Sequence, residues 1–582
     1  MKKALILMGF CSITVWASET DTQFQQVVER DWQFRLQEYP EMAAYLDPNT
    51  PDTRYTDISE KAQAARAQFW REELRQLDAL PREQLTHDNR INWRILRDQT
   101  LNALNDYDTG TRYYSFNSDT QYWADWPRLA EGRRFNKLSD YDNYLLKLSA
   151  LPAAMRQQIQ LLRDGLKKGF TQPQAVLAGR DSSIRQQIVD KASDSDFYAP
   201  FKSLSSNLSE AEKQALQKQA AAVITKKVVP AYRELLKFFT HDYVPQARLS
   251  LAATSLPNGE AFYRAQIYQY TTLNLSPQQI HDIGVSEVKR IREQMEAIKT
   301  QVKFDGDLQA FLNHLRSDAQ FLAKSTHELL AEASYFSKKI DGLLPKYFGY
   351  LPRQPYGVVP VPDAIAPYYT AGRYVGSNDP KQSGAYWVNT SKLDSRTLWS
   401  LPALTLHEAV PGHHLQNAIA AEQGEQPPFR RYSYISAYGE GWGLYSEYLG
   451  QEMGIYETPY QQFGRLVYEM WRACRLVVDT GVHQFGWSRE QALDYMKANT
   501  ALSLHEITTE VDRYISWPAQ ALSYKLGEIK IRELRAKSEQ ALGSKFDLRA
   551  FHDTILKLGS VPLSVLEEEI DLWIKEQQNK PD

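Results

Sequence analysis

Cysteine is almost absent. Two residues in 582, Cys11 and Cys474, cannot build a disulfide framework. Beyond the amino-terminal stretch no run approaches the roughly 20 apolar residues of a membrane span, so stable membrane insertion is not expected. No block of Lys or Arg stands out, and 68 basic against 71 acidic residues leave a formal charge of −3, which argues against nucleic acid as a partner. There is no GxSxG elbow, Walker loop or dinucleotide glycine fingerprint. Gly (28) and Pro (27) are too few for a fibrous or low-complexity chain, and 43% hydrophobic with 24% charged residues excludes disorder. What remains is enough chain for several domains or one large two-lobed protein.

The first residues read as an export signal. Lys2 and Lys3 precede an apolar run from Ala4 to Trp16, and Val15-Trp16-Ala17 offers small residues where a signal peptidase cuts, so cleavage after Ala17 is expected. A lipid-anchored reading would use Cys11, but bulky Phe10 precedes it where a small residue is needed. The expected location is therefore periplasmic or secreted. Loss of the leader leaves Cys474 alone and the mature charge at −5.

Helical periodicity dominates. Ser59–Leu80, Tyr141–Leu166, Ala211–Phe239, Pro277–Val302 and Gln320–Leu344 carry apolar residues at three-to-four spacing with charges between. The Pro-rich stretch Gly349–Ser383 reads as loop, and the aromatic, β-branched Gly384–Thr390 as a short strand. A softer break near Val244–Gly259 divides the mature chain into an N-terminal helical lobe, 18–250, and a C-terminal lobe, 251–582, carrying the chemistry.

That chemistry starts with histidine. Three of the eleven fall within eight positions in His407-Glu408-Ala409-Val410-Pro411-Gly412-His413-His414. A zinc hydrolase needs neutral imidazoles for the metal and an adjacent carboxylate to take a proton from water, usually as HExxH on one helical face. Here Pro411 and Gly412 intervene. On a regular helix His413 would lie about 120° from His407, whereas His414 would return to its face about 10 Å further on. If instead Pro-Gly forms a bulge, His413 swings into the second ligand position. The bulge accounts for two residues that otherwise cost roughly 3 and 1 kcal/mol in a helix, and so favours His413. His327-Glu328 and His505-Glu506 lack a second nearby histidine and read as helix-surface or helix-start pairs.

Two histidines do not hold catalytic zinc. A third ligand is expected from Glu440-Gly441-Trp442-Gly443-Leu444-Tyr445-Ser446-Glu447, across the Pro427-Pro428 turn. Glu440 and Glu447, seven apart, share a face. Glu440 is the expected ligand and Glu447 an acceptor that orients a ligating imidazole. Gly441 permits close approach of a neighbouring helix.

These residues resemble the bacterial domain of unknown function 885, regarded as zincin-like metallopeptidases, whose hallmark HExxPGHxxQ followed by EGWxLY runs here from His407 to Gln416 and from Glu440 to Tyr445. In that pattern the position of His414 varies and that of His413 does not. Matching stretches at Arg472–His483, Arg513–Tyr524 and Phe551–Leu563, with Leu256–Gly259 and Tyr270–Thr272 upstream, extend the resemblance over nearly the whole mature chain. Ala519 stands where the family usually has Gly.

The resemblance implies a mainly α, two-lobed, multi-helical zincin-like metallopeptidase with a small β element beside the active-site helix. One Zn2+ per chain would sit on His407, His413 and Glu440, with Glu408 as general base and short peptides as substrates in an enclosed cleft. Oxyanion donors would come from His483, Arg513, Tyr514 or Tyr524, with Asp479 orienting His483 from one turn away. Gly384–Thr390 would serve as an edge strand for extended substrate. The alternatives are a hydrolase of a non-peptide amide or ester, and a non-catalytic binding protein with a closed structural metal site.

Overall fold

The computed structural model describes residues 18–47, 49–363, 365–366, 369–377 and 381–581. The leader, Cys11 and the cleavage position after Ala17 lie outside the described residues. The described residues form a mainly α, multi-helical protein with one small sheet. Among the described residues no helix is long and apolar enough to cross a membrane.

The helices form where periodicity and caps coincide. Glu60–Ala79 starts on the Ser59 hydroxyl, and Pro277–Gln301 on a Ser276–Gln279 capping box with Pro277 in its first turn. The 210–246 stretch is interrupted twice by single wider turns, Ile224–Val228 and Phe239–Tyr243. Glu328 and Glu506 sit at the third position of helices capped by Ser325 and Ser503, so His327 and His505 are exposed helix-start residues.

Two of the three strands lie where a loop is expected. β1 (Tyr356–Pro360) and β2 (Gly372–Val375) flank β3 (Gly384–Val388), parallel and antiparallel to it respectively. Strands of four and five residues in a proline-rich stretch carry too little alternation to be read from sequence. Their order corrects one expectation: the 384–390 segment is central, and the edges belong to β1 and β2.

Side-chain packing also cuts across the division expected at residue 250. Phe24, Val27, Leu77 and Ile95 share one hydrophobic cluster with Leu406, Trp442, Tyr445 and Leu566, whereas 116–247 build a separate cluster around Trp123, Tyr232 and Phe239. The first helices thus complete the core beneath the histidine motif rather than belonging to a lobe of their own.

Candidate metal centre

The helix Leu401–Glu408 opens on Pro402 and ends immediately after the first His-Glu pair. Ala409 leaves helical geometry (φ −93°, ψ −110°), the Val410-Pro411 bond is cis, and a new helix, His413–Glu422, begins on His413. Gly412 makes the reversal possible, since a Cβ there would lie 1.9 Å from the His407 carbonyl oxygen. The Pro411 carbonyl accepts from the Trp442 indole N–H at 2.8 Å. The Pro-Gly insertion is therefore a helix break, and it is His413 that faces His407. His414 turns toward the sheet, its Nδ1 3.3 Å from the Tyr374 hydroxyl, and burial lowers its pKa to about 4.

Glu440 comes from the helix Ser436–Glu452. Its Oε2 lies 3.6 Å from His407 Nε2 and 3.5 Å from His413 Nε2, and donor atoms of the three residues lie within 4.8 Å of one another. Ligands about 2.0–2.1 Å from a tetrahedral metal stand roughly 3.3–3.5 Å apart, so this spacing suits a common cation. Among the described residues this trio alone could hold a metal ion. Burial opposes ionisation of Glu440, but its contacts with both imidazoles outweigh that and hold its carboxyl well below the usual range.

The surroundings fix these side chains. Glu447 Oε1 sits 2.8 Å from His407 Nδ1, leaving Nε2 for the site. Gly443 lies against the same imidazole, where a Cβ would be 2.7 Å from Cε1 and Nε2. Gly441 meets Gly527 of the helix Ser523–Leu542 backbone to backbone, a Cβ falling 2.6 Å from the Gly527 Cα. Glu408 is half-buried, and its Oε2 accepts the Tyr374 N–H of β2 at 2.8 Å.

One participant has no counterpart in the sequence reading. Tyr434, preceding the helix, donates its hydroxyl to the second oxygen of Glu440 at 3.0 Å, and Gly439 makes room for its ring. Tyr434 also lines a cavity of about 810 Å³ that reaches Trp32, Arg35, Gln99, Tyr107 and Tyr432. A tyrosine six residues ahead of Glu440 was the only available signal.

The expected oxyanion donors fare differently. His483 is fully buried, with Nδ1 accepting the Ala253 N–H at 3.1 Å and Nε2 facing the Tyr514 carbonyl at 2.8 Å. Burial lowers its pKa to about 3, so it is a neutral bridge between backbone groups and cannot serve as the donor. Asp479 does not orient it: that carboxylate accepts the Tyr263 hydroxyl at 2.6 Å and the Ala519 N–H at 3.0 Å. Tyr514 is held by Glu510, Trp471 and Arg475. Arg513 directs its guanidinium to Glu510 and Gln520. Tyr524 alone stands near the cluster: burial and then the charge of Glu440 raise its pKa, while Arg475, 4.4 Å from its ring centre, opposes the shift.

Residues 40–570 match the family described as bacterial protein of unknown function (DUF885). A protein of Colwellia psychrerythraea named as a candidate lipoprotein shares the fold with a TM-score of 0.85 at 26% identity, over 96% of this chain and 100% of that one. A candidate lipoprotein of unknown function from Shewanella oneidensis follows with a TM-score of 0.75 at 19% identity, over 94% and 99%. Trypanosoma cruzi metallocarboxypeptidase 1 is similar only with a TM-score of 0.33 at 11% identity, over 97% and 99%, a likeness too slight to carry an argument. No curated protein matches the chain.

Proposed function

Since the chain belongs to the DUF885 family, whose description assigns no activity, its chemistry has to be argued from the site, and we propose that it is a zinc-dependent peptidase of short peptides. The observation that carries this reading is the convergence of His407 and His413 on Glu440 at 3.6 and 3.5 Å, all three donor atoms within 4.8 Å, with Glu408 adjacent. A zinc ion bound by these three supplies Lewis acidity, polarising a carbonyl and lowering the pKa of water to about 7.

Glu408 is the general base. Its Oε2 is already committed to the Tyr374 N–H, which orients the carboxylate and leaves Oε1 to receive the proton of the attacking water and deliver it to the leaving amine. Tyr524 donates to the developing oxyanion, since it is the one expected donor beside Glu440. Tyr434 steadies Glu440 from the cavity side. The free edge of β2, next to Glu408, supplies backbone groups for an extended peptide.

Burial of the ligands supports short substrates: His407 is 3% exposed and Glu440 16%, so a chain segment has to enter rather than dock. Glu447 lies behind His407 instead of joining the trio, which favours an open fourth position over a closed structural site and so argues against a merely structural metal. Export is part of the proposal, with maturation after Ala17 and a periplasmic or secreted location.

The test pairs metal analysis of the purified protein with a peptide-cleavage profile of the wild type and Glu408→Gln. The variant is expected to keep stoichiometric zinc and lose 10²–10⁴-fold in turnover, about the scale of general-base catalysis. Undiminished turnover would remove Glu408 from the mechanism. Cleavage of esters but no peptide would select the non-peptide alternative.

A further inference from the structure

Behind Tyr524 lie three guanidinium groups and one carboxylate. Arg472 and Arg475 come from the helix Pro459–His483, Arg513 and Glu510 from Leu504–Ser516. Glu510 serves two of them, at 3.1 Å from Arg475 and 3.1 Å from Arg513. Arg472 has no acidic partner among the described residues; its one hydrogen bond is a long 3.4 Å contact to the Tyr468 carbonyl of its own helix. Its guanidinium otherwise rests on aromatic faces, 4.5 Å from the Trp471 ring centre and 6.0 Å from that of Tyr524.

These are not solvated surface charges. Arg472 is 8% exposed and Arg475 3%, and both keep a buried N–H without an acceptor, Nε of Arg472 and one terminal nitrogen of Arg475. Three guanidinium groups share one carboxylate in this buried cluster, leaving an excess of positive charge that a counter-charge would offset. The arginine cluster is tied to the candidate metal centre. Ser523, next to Tyr524, bonds the Ser436 hydroxyl at 2.8 Å at the start of the Glu440 helix, and the two helices meet at Gly441 and Gly527. Tyr524 lies within reach of the charges of both Glu440 and the three arginines.

We propose that Arg472 and Arg475, backed by Arg513, bind a carboxylate of the substrate and so place its scissile bond at His407, His413 and Glu440. The inference rests on the peptidase reading above. The planar forks of two arginines suit a carboxylate, and the free N–H groups on Arg472 and Arg475 are the donors it would take. The carboxylate belongs either to the peptide terminus or to an acidic side chain.

The test uses three neutral-core tetrapeptides: one with a free C-terminus, its C-terminal amide, and an amide carrying one glutamate. Binding is measured by calorimetry on the zinc-loaded Glu408→Gln protein, and cleavage on the wild type. A carboxylate-bearing peptide is expected to bind about 10- to 100-fold more tightly than the neutral amide. Preference for the free terminus identifies the terminal carboxylate as ligand, and preference for the glutamate peptide identifies the side chain. Arg472→Gln is expected to abolish the preference without changing binding of the neutral amide, and Arg472→Lys to restore part of it; melting temperatures establish that both variants fold. Equal binding of acid and amide, or no binding of any member, overturns the proposal. A protein that cleaves all three equally keeps the hydrolase reading and loses this one, whereas selective binding without any cleavage does the reverse.

Discussion

Replacing Gly443 by alanine adds one methyl group inside a helix, a change that ordinarily stabilises by about 1 kcal/mol. Here the added Cβ would lie 2.7 Å from two atoms of the His407 imidazole, while ordinary contact begins at 3.4 Å. The ring has to withdraw by the difference, about 0.7 Å, and it cannot slide freely because Glu447 holds Nδ1 at 2.8 Å. Metal–ligand bonds tolerate about 0.2 Å, so the shift exceeds the tolerance more than threefold. Displacing one ligand on this scale is expected to lower zinc affinity about 10- to 100-fold, or roughly 1.4–2.7 kcal/mol, while the helix itself stays folded. Competition against a graded series of chelators, with circular dichroism as the control, measures both quantities. Zinc affinity unchanged in a folded Gly443→Ala protein would refute the claim that His407 is a ligand fixed from behind by this helix.

Two further outcomes probe the neighbouring residues. His483→Ala is expected to destabilise by about 2–5 kcal/mol, because it leaves a cavity and orphans the Ala253 N–H, yet to change turnover of the folded fraction less than threefold; a hundredfold loss of turnover at unchanged stability would return His483 to the chemistry. Burial raises the Asp479 carboxyl to about 7 against the hydrogen bonds from Tyr263 and Ala519. The folded protein then holds a proton that the unfolded chain releases near pH 4, so this residue's contribution to stability is present below about pH 4 and is lost as pH rises to 7. The full loss is of order 4 kcal/mol, about 2–3 kcal/mol of it between pH 5 and 7.5, and Asp479→Asn should remove that part from a denaturation series run at those two values. An identical pH dependence in the variant would place the proton elsewhere.

The histidine motif was legible because metal chemistry restricts residue type and spacing together. Pro411 and Gly412 carried a second message, since their cost in a helix makes sense only if the helix stops there, as it does after Glu408. Ala519 fits the same logic: it adopts φ +67°, a left-handed conformation for which glycine is the ordinary choice. Periodicity found the long helices, yet it could not divide the cores, because the pairing of Phe24 with the helices beyond 336 is a tertiary event with no local trace.

The failures share one cause. Spacing of four placed Asp479 and His483 on one face, but a face spans several neighbours: Tyr263 claims the carboxylate and Ala253 the imidazole, each from a different segment. Tyr434 and the Tyr374 N–H act on Glu440 and Glu408 through bonds that no motif encodes, one of them from a backbone atom. Arg472 is the sharpest instance. Sequence counts its charge among 68 basic residues in a nearly neutral chain, whereas its significance lies in having no carboxylate beside it once buried. Net charge is a sum over the whole molecule, but the energy of a buried ion is set within a few ångströms. A buried cation without a carboxylate beside it is therefore information that only packing creates, and under the proposal above it marks where an anionic group of a substrate would sit.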